Sequence, residues 1–243
     1  EQNIFDLYEE IISKTYTPGT SICFIINQPI KREIFAATFR DRVVHHFIYN
    51  IVSPLAEKVF LHDVYSCRKE KGTLFGIDRA YSKMQSCSEN FTKKTFVLKL
   101  DIAGYFMNMN KDKLYSKVEQ LINKNELFLP IQSNLLKYLI SQNIYHDPTI
   151  DCKFQSQKSE WKNLPKNKSL FGTATNCGLP IGNLTSQLYG NLYLNEFDHF
   201  IKKELKINHY GRYVDDFYMF HQDKNKLIAQ IANIKRRLLL TEK

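Results

Sequence analysis

The sequence predicts an α+β fold in which an antiparallel sheet is packed by helices on one face. Three observations predict it. Tyr210 to Phe220 consists of two short aromatic and aliphatic runs joined at Asp215-Asp216, the pattern of a β-hairpin. Phe96 to Ile102 is an apolar, strand-like run that ends on Asp101. Around these lie segments whose apolar residues recur at helical spacing, over 111–123, 132–142, 184–205 and 227–240.

Taken in order, Arg32 to Phe60 begins with a short extended entry. Ile34, Phe35, Val43, Val44, Phe47, Ile48 and Ile51 then recur at helical spacing until Pro54 interrupts the pattern. Residues 62–76 are mixed and basic, read as strand and loop, with a short helix over Asp78 to Met84. The strand bearing Asp101 spans Lys94 to Ile102. Lys111 to Asn123 and Gln132 to Gln142 read as amphipathic helices. Residues 143–177 are polar, contain Pro148 and Pro165, and read as an extended loop region. Leu188, Leu192, Phe197 and Ile201 mark Leu184 to Leu205 as helical. Leu227 to Leu240 is a last amphipathic helix with basic residues outside.

The 243 residues bury a sizeable core as one large domain or two small lobes. The formal charge of +9, from 34 basic and 25 acidic residues, fits a polyanionic partner without requiring one. No apolar run approaches the ~20 residues that span a bilayer, and no signal peptide is visible, so no membrane partner is expected. Five cysteines without a Cys-x-x-Cys pair argue against a disulfide framework and point to a reducing cytoplasm. The histidines show no metal-ligand spacing with cysteines, Gly72 and Gly76 do not form a phosphate loop of known spacing, and no Ser-His-Asp arrangement can be argued.

The carboxylates hold the chemistry. A tight hairpin turn favours Asn-Gly or Asp-Gly, and two adjacent carboxylates repel, so turn stability does not explain Asp215-Asp216. A divalent cation over them reverses that repulsion. Asp101, at the end of an apolar strand, supplies a third carboxylate if that strand pairs with the hairpin. The competing reading makes Asp101 a cap for the following segment and Asp215-Asp216 an ordinary turn.

Asp101 to Phe106 (Asp-Ile-Ala-Gly-Tyr-Phe) resembles the first catalytic block of reverse transcriptases, and Tyr213-Val214-Asp215-Asp216 resembles their Tyr-x-Asp-Asp block. Between them, Gly178 to Gln187 is similar to the block that holds template and incoming nucleotide. Ile181-Gly182 and Ser186-Gln187 stand where most members have Gln-Gly and Ser-Pro, which is the signature of reverse transcriptases of diversity-generating retroelements. Ser66 to Phe75, Ser159 to Trp161 and Lys168 to Phe171 also resemble that subfamily. The resemblance runs from about residue 26 to about residue 240.

The resemblance implies right-hand polymerase fingers and palm, with the antiparallel sheet in the palm. Residues 1–94 would form the N-terminal part of the fingers and 95–243 the palm. A fingers or loop segment at about 143–177 would be interleaved, with no thumb in this chain. It implies an RNA-directed DNA polymerase that copies a template-repeat RNA into cDNA with errors at template adenines. Two Mg²⁺ ions would be bridged by Asp101 and Asp215, with an oxygen from the Ile102 carbonyl and a looser contribution from Asp216. Phe106 would lie under the sugar and exclude a 2′-hydroxyl; a plain core aromatic, and Tyr105 in that role, are the alternatives. Lys31 and Arg32 would hold the triphosphate, and Ile181 and Gly182 would adjoin the nucleotide. Arg40, Arg42, Arg68, Lys69 and Lys71, with Ser186 and Gln187, would line the template, or the cations are solvated surface charges. Ile181 would loosen base discrimination, or only pack beneath the template.

Implied partners are an RNA template, a DNA primer, dNTPs and a small basic accessory protein, in the cytoplasm of a bacterial or phage-infected cell. Rival readings are a group II intron or retron reverse transcriptase, a viral RNA-dependent RNA polymerase, and a catalytically silent RNA-binding fragment.

Overall fold

The computed structural model describes residues 2–242, with side chains through residue 239. In chain order the elements are α1 (Gln2–Ile12), β1 (Ser21–Ile26), β2 (Arg32–Ala36), α2 (Phe39–Glu57), α3 (Thr73–Cys87) and β3 (Phe96–Leu100). There follow α4 (Lys111–Lys124), α5 (Ser133–Tyr145), β4 (Cys152–Phe154), α6 (Leu184–Tyr193), α7 (Asn195–Lys203), β5 (His209–Tyr213), β6 (Asp216–His221) and α8 (Lys224–Glu242). Short 3₁₀ turns punctuate residues 126–128 and 158–172. The chain falls into two compact units, each built from two stretches: up to Lys58 with Phe106–Tyr189, and Val59–Tyr105 with Gly190 onward.

The first unit holds a mixed sheet in the order β2-β1-β4, with β1 antiparallel to β2 and parallel to β4. The sequence gives no warning of β4, because it lies in the polar stretch 143–177 and is only three residues long. Two of the unit's helices start on side-chain caps. Thr38 Oγ accepts the Asp41 N–H at 3.2 Å ahead of α2, and Asn110 Oδ1 accepts the Lys113 N–H at 3.0 Å ahead of α4. Pro54 does not end α2, which continues to Glu57; the proline denies Asn50 a backbone donor. Val44, Ile48 and Val52 of α2, Leu114, Val118 and Ile122 of α4, and Leu136, Leu139 and Ile140 of α5 are buried.

Glu33 is the only acidic residue of β2 and is 1% exposed. Its carboxylate accepts Trp161 Nε1–H at 2.6 Å, Ser169 Oγ–H at 2.9 Å and the Leu170 N–H at 2.6 Å. Three donors offset the cost of burying the charge and fasten residues 161–170 to the sheet.

The second unit contains the antiparallel sheet expected from the sequence, in the order β3-β6-β5. Helices on one face alone do not describe it. Tyr210, Gly211 and Arg212 are consecutive on β5 and all buried, so both faces of that strand are covered. Residues 63–65 line its outer edge, with Arg212 N–H on the Asp63 carbonyl and Tyr65 N–H on the Arg212 carbonyl. The helix expected at 78–84 is longer, Thr73–Cys87, and the one expected over 184–205 divides at Leu194. Gly211 must lack a side chain: a Cβ there would stand 2.5 Å from the hydroxyls of both Tyr65 and Tyr218, which meet each other at 2.8 Å. Among the described residues no helix is long and apolar enough to cross a membrane.

Glu33→Ala leaves one buried donor (Leu170 N–H) and two part-buried donors (Trp161, Ser169) without their acceptor, so it is expected to lower stability by about 2–3 kcal/mol. Urea denaturation, with the first unit followed by Trp161 fluorescence, checks this; an unchanged midpoint would contradict it.

Candidate active site

In the second unit, β3 pairs with β6 so that Leu100 faces Phe217, and Asp101 follows at the end of β3 beside the start of β6. Tyr213 pairs with Asp216 across the hairpin. The turn is therefore Val214-Asp215, one residue earlier than the sequence indicated, and Asp216 opens β6. The shift follows from pairing: once Tyr213 and Asp216 close the ladder, only two residues remain between them.

Val214 sits at φ 57°, a left-handed conformation that a β-branched residue adopts only when forced. Two buried side chains hold it there. Ser66 Oγ accepts its N–H at 3.1 Å, and Arg212 Nη1 donates to its carbonyl at 2.7 Å. Arg212 is wholly buried and grips Asp198 with two parallel bonds of 2.7 Å, from Nε and Nη2. Tyr210 donates to the same carboxylate at 2.5 Å. Asn191 Oδ1 accepts from both Ser66 Oγ and Arg212 Nη1 at 3.3 Å, linking the two groups that hold Val214. Asp198, Asn191 and Arg212 were not singled out from the sequence. The available signal was a charged residue in the middle of the aromatic strand Tyr210–Tyr213.

Asp101 is exposed and Asp215 and Asp216 are half-buried. Lys99 Nζ lies 3.3 Å from Asp216 Oδ1, an exposed pair of small energetic weight. Burial raises the pKa of the Tyr105 phenol, and the charges of Asp198 and Asp215 add to that rise against the opposing Arg212. Tyr105 donates to the Gly190 carbonyl at 2.5 Å and is 5% exposed, which occupies the alternative gate residue inside the core. Ile102 is buried. Among the described residues no three His, Cys, Asp or Glu side chains gather closely enough to hold a metal ion unaided. The donors on offer are hard oxygens on neighbouring strand ends of one sheet. Those suit Mg²⁺, which binds through one or two carboxylates and completes its shell with water and phosphate.

Arg68 donates from Nη1 to the Leu61 and Val64 carbonyls at 2.6 and 2.9 Å and lies over Phe60, while Lys71 Nζ donates to the His62 carbonyl at 2.6 Å. Of the cations expected to line a template in this unit, Lys69 alone projects as an exposed side chain.

In the first unit, Phe106 and Ile181 both pack against the cluster of Cys23, Phe35, Met107 and Leu170. The Phe106 carbonyl accepts the Leu179 N–H and the Ile181 carbonyl accepts the Phe35 N–H, each at 2.9 Å. Gly182 is obligatory at φ 125°, where a Cβ would also meet the Phe35 carbonyl oxygen at 3.0 Å. Asn183 Oδ1 accepts the Ala37 N–H at 3.3 Å, Ser186 is buried and Gln187 is exposed. Arg32 and Arg42 are exposed, whereas Lys31 Nζ donates to the Lys162 carbonyl at 2.8 Å. Arg40 pairs with Glu10, donates to the Thr17 carbonyl at 3.1 Å and covers the Tyr16 ring, so its donors face its own unit.

His45 lies beneath the same block, its Nδ1 2.6 Å from Thr185 Oγ1. Burial pushes its pKa down to about 4; Asp41 opposes that, while His146 and His46 add to it. Below pH ~6.5 the unfolded chain takes up a proton that the folded ring refuses until pH about 4. Stability is therefore expected to fall across that window by about 3 kcal/mol and level off beneath it. Urea midpoints measured from pH 7 to 4 check this, with His45→Gln expected to show the flatter profile.

Arg212→Met strands the buried Asp198 and is expected to cost about 3–5 kcal/mol. Adding Asp198→Leu should return much of it, since a fully apolar replacement removes the unpaired charge. Thermal melts of the two variants test the pairing, and equal losses would contradict it.

Over residues 30–241 the chain matches the family described as Reverse transcriptase (RNA-dependent DNA polymerase). No curated protein matches it. Apo telomerase from Candida tropicalis, truncated from its C-terminal domain, superimposes with a TM-score of 0.58 at 12% identity, covering 94% of this chain and 50% of that one. Telomerase from Candida albicans, in complex with a TWJ fragment of telomeric RNA, gives 0.60 at 13% identity, covering 94% and 44%. Full apo telomerase from Candida tropicalis gives 0.53 at 12%, covering 97% and 46%. The chain thus spans about half the length of these structures, and identity this low speaks for the fold alone. The family match takes in the end of β3, the Gly182 block and the Val214-Asp215 turn, and the chain belongs to the reverse transcriptase (RNA-dependent DNA polymerase) family.

Proposed function

We propose that this chain performs RNA-directed DNA synthesis, and that it is of the diversity-generating retroelement type. The observation that carries the activity is the pairing of β3 with β6, which sets Asp101 at a strand end beside the turn bearing Asp215. Asp101 and Asp215 are the proposed holders of two Mg²⁺ ions, with the Ile102 carbonyl, and with Asp216 once it leaves the exposed Lys99. Ions held there would supply Lewis-acid charge for attack of a primer 3′-hydroxyl on an α-phosphate with departure of pyrophosphate. The buried Ser66 and Arg212 side chains keep the Asp215 turn in one conformation, which limits the reorganisation needed at the reacting centre.

Arg32 is exposed on β2 and is the residue proposed to grip the triphosphate in a bidentate fork; Lys31 is secondary. The Phe106 ring is proposed to close the space that a 2′-hydroxyl would need, with Gly182 giving the backbone close approach. Arg42, Lys69 and Gln187 are the exposed members of the template set, and Arg40, Arg68, Lys71 and Ser186 support it from within their units. An aliphatic Ile181 forms no hydrogen bond to the base or sugar, which supports relaxed selection opposite template adenines. Residues 1–94 and 95–243, with the insertion at about 143–177, are proposed as fingers and palm. RNA template, DNA primer, dNTPs and a small basic accessory protein are the proposed partners, in a cytoplasmic setting. The RNA-bound state of the Candida albicans neighbour is in keeping with an RNA template.

Primer extension on an adenine-containing RNA template, with dNTPs, Mg²⁺, the full-length protein and the accessory protein, tests this reading. Asp215→Ala is expected to reduce extension on the order of 10³-fold or more, a loss of several kcal/mol. Errors should concentrate at template adenines and decline in Ile181→Gln. RNA binding without Asp215-dependent extension would favour a silent RNA-binding module instead. Accurate cDNA would remove the diversity-generating assignment alone.

A further inference from the structure

We propose that the β4 edge of the first unit's sheet is a binding platform for single-stranded RNA, separate from the residues assigned above to template and nucleotide. The register sets Phe35 opposite Cys23, and Cys23 opposite Phe154, so one row crosses the sheet from β2 to β4. Phe35 and Cys23 are buried at 1% and 0%, whereas Phe154 emerges at the edge with 46% of its surface exposed. Phe171 extends the row, its ring 5.6 Å from Phe35 and stacked on Phe154 at 5.8 Å and 12°. Phe171 is itself 43% exposed. Trp161 meets Phe154 edge-on at 5.4 Å.

The row is fixed before any ligand arrives. Glu33 holds Trp161 through its indole N–H, and Ser169 and Leu170 hold the residues just before Phe171 to the same carboxylate. Rings locked in this way lose little entropy on binding. An exposed, rigid aromatic pair is costly to leave facing water, and every nucleobase offers a flat face to stack on it.

Charge selects the partner. From 153 to 168 the chain places Lys153, Lys158, Lys162, Lys166 and Lys168 against the single Glu160. All five lysines are exposed, and among the described residues none pairs with a carboxylate. Lys158 Nζ lies over the Phe154 ring, 5.8 Å from its centre, which puts a cation at the stacking surface. A polyanion that carries planar groups meets both features; a basic protein meets neither. Unpaired bases are needed to reach the rings, so single strands are preferred over duplex.

Trp161 is the chain's one tryptophan and reports directly on this edge. Titrating the 243-residue chain with an unstructured 12-nucleotide RNA is expected to quench or shift Trp161 emission, and an RNA duplex of equal length to do so weakly. Phe154→Leu keeps an apolar residue at the edge and is expected to weaken binding about fivefold or more. Lys158→Ala, Lys166→Ala and Lys168→Ala together should lower the slope of log affinity against log salt by about 2. RNA binding that leaves Trp161 emission unmoved, or that both variants leave unchanged, overturns the proposal. So does polyglutamate that produces the same Trp161 response, which reduces the edge to a charged face. Asp215→Ala should abolish synthesis yet keep the Trp161 response, so failure of the polymerase reading and failure of the platform are told apart.

Discussion

The second unit depends on one buried ion pair. Arg212 and Asp198 have no exposure at all, and their attraction offsets the cost of removing both from water only because the geometry is bidentate and the remaining donors are used. Those remaining donors are what matter to the site. Having fixed its guanidinium on α7, Arg212 has a spare N–H pointing along its own strand to the Val214 carbonyl. Ser66 holds the preceding peptide through the Val214 N–H, so both peptides that flank Val214 are fixed. A valine in a left-handed conformation is costly, and the surrounding bonds over-determine it. The outcome is a turn whose carboxylate is presented by a scaffold rather than by a mobile loop tip.

Much of this was legible. The aromatic and aliphatic runs around Asp215 marked a hairpin, and the run ending at Asp101 marked a strand, because strands concentrate aromatic and β-branched residues between turn residues. Sequence did not reveal which two residues make the turn, since that depends on the ladder closing between Tyr213 and Asp216. The Arg212–Asp198 pair was hidden for a different reason: its partners are fourteen residues apart on separate elements, and a buried charge looks like a surface charge until its neighbours are known. Pro54 misled in the opposite direction. Proline reads as a stop, yet burial of Val52, Leu55 and Ala56 keeps α2 going for another turn. The strand β4 left no periodic signal in three residues and gained its place from pairing with β1.

The cations teach a similar lesson. Arginine and lysine near a family motif invite assignment to a polyanion, but some of their donors are already used within their own unit. Arg68 donates to two carbonyls there, and Arg40 to the Thr17 carbonyl and the Glu10 carboxylate. The lysines along 153–168 are the reverse case, surface charges that sequence reading passed over inside a polar stretch. Their setting becomes informative only once the aromatic row beneath them is seen.

The way Glu33 holds the 161–170 stretch also has an evolutionary side. Its one carboxylate grips the chain at Trp161 and again at Ser169 and Leu170, so the intervening residues form a loop tied off at its base. Closing a longer loop at the same two points costs little, about 0.6 kcal/mol for a doubling in length. Relatives can therefore gain or lose residues between Lys162 and Lys168 while the knot beneath stays where it is. Variation in length is expected to collect there, and substitution of Glu33 to be rare.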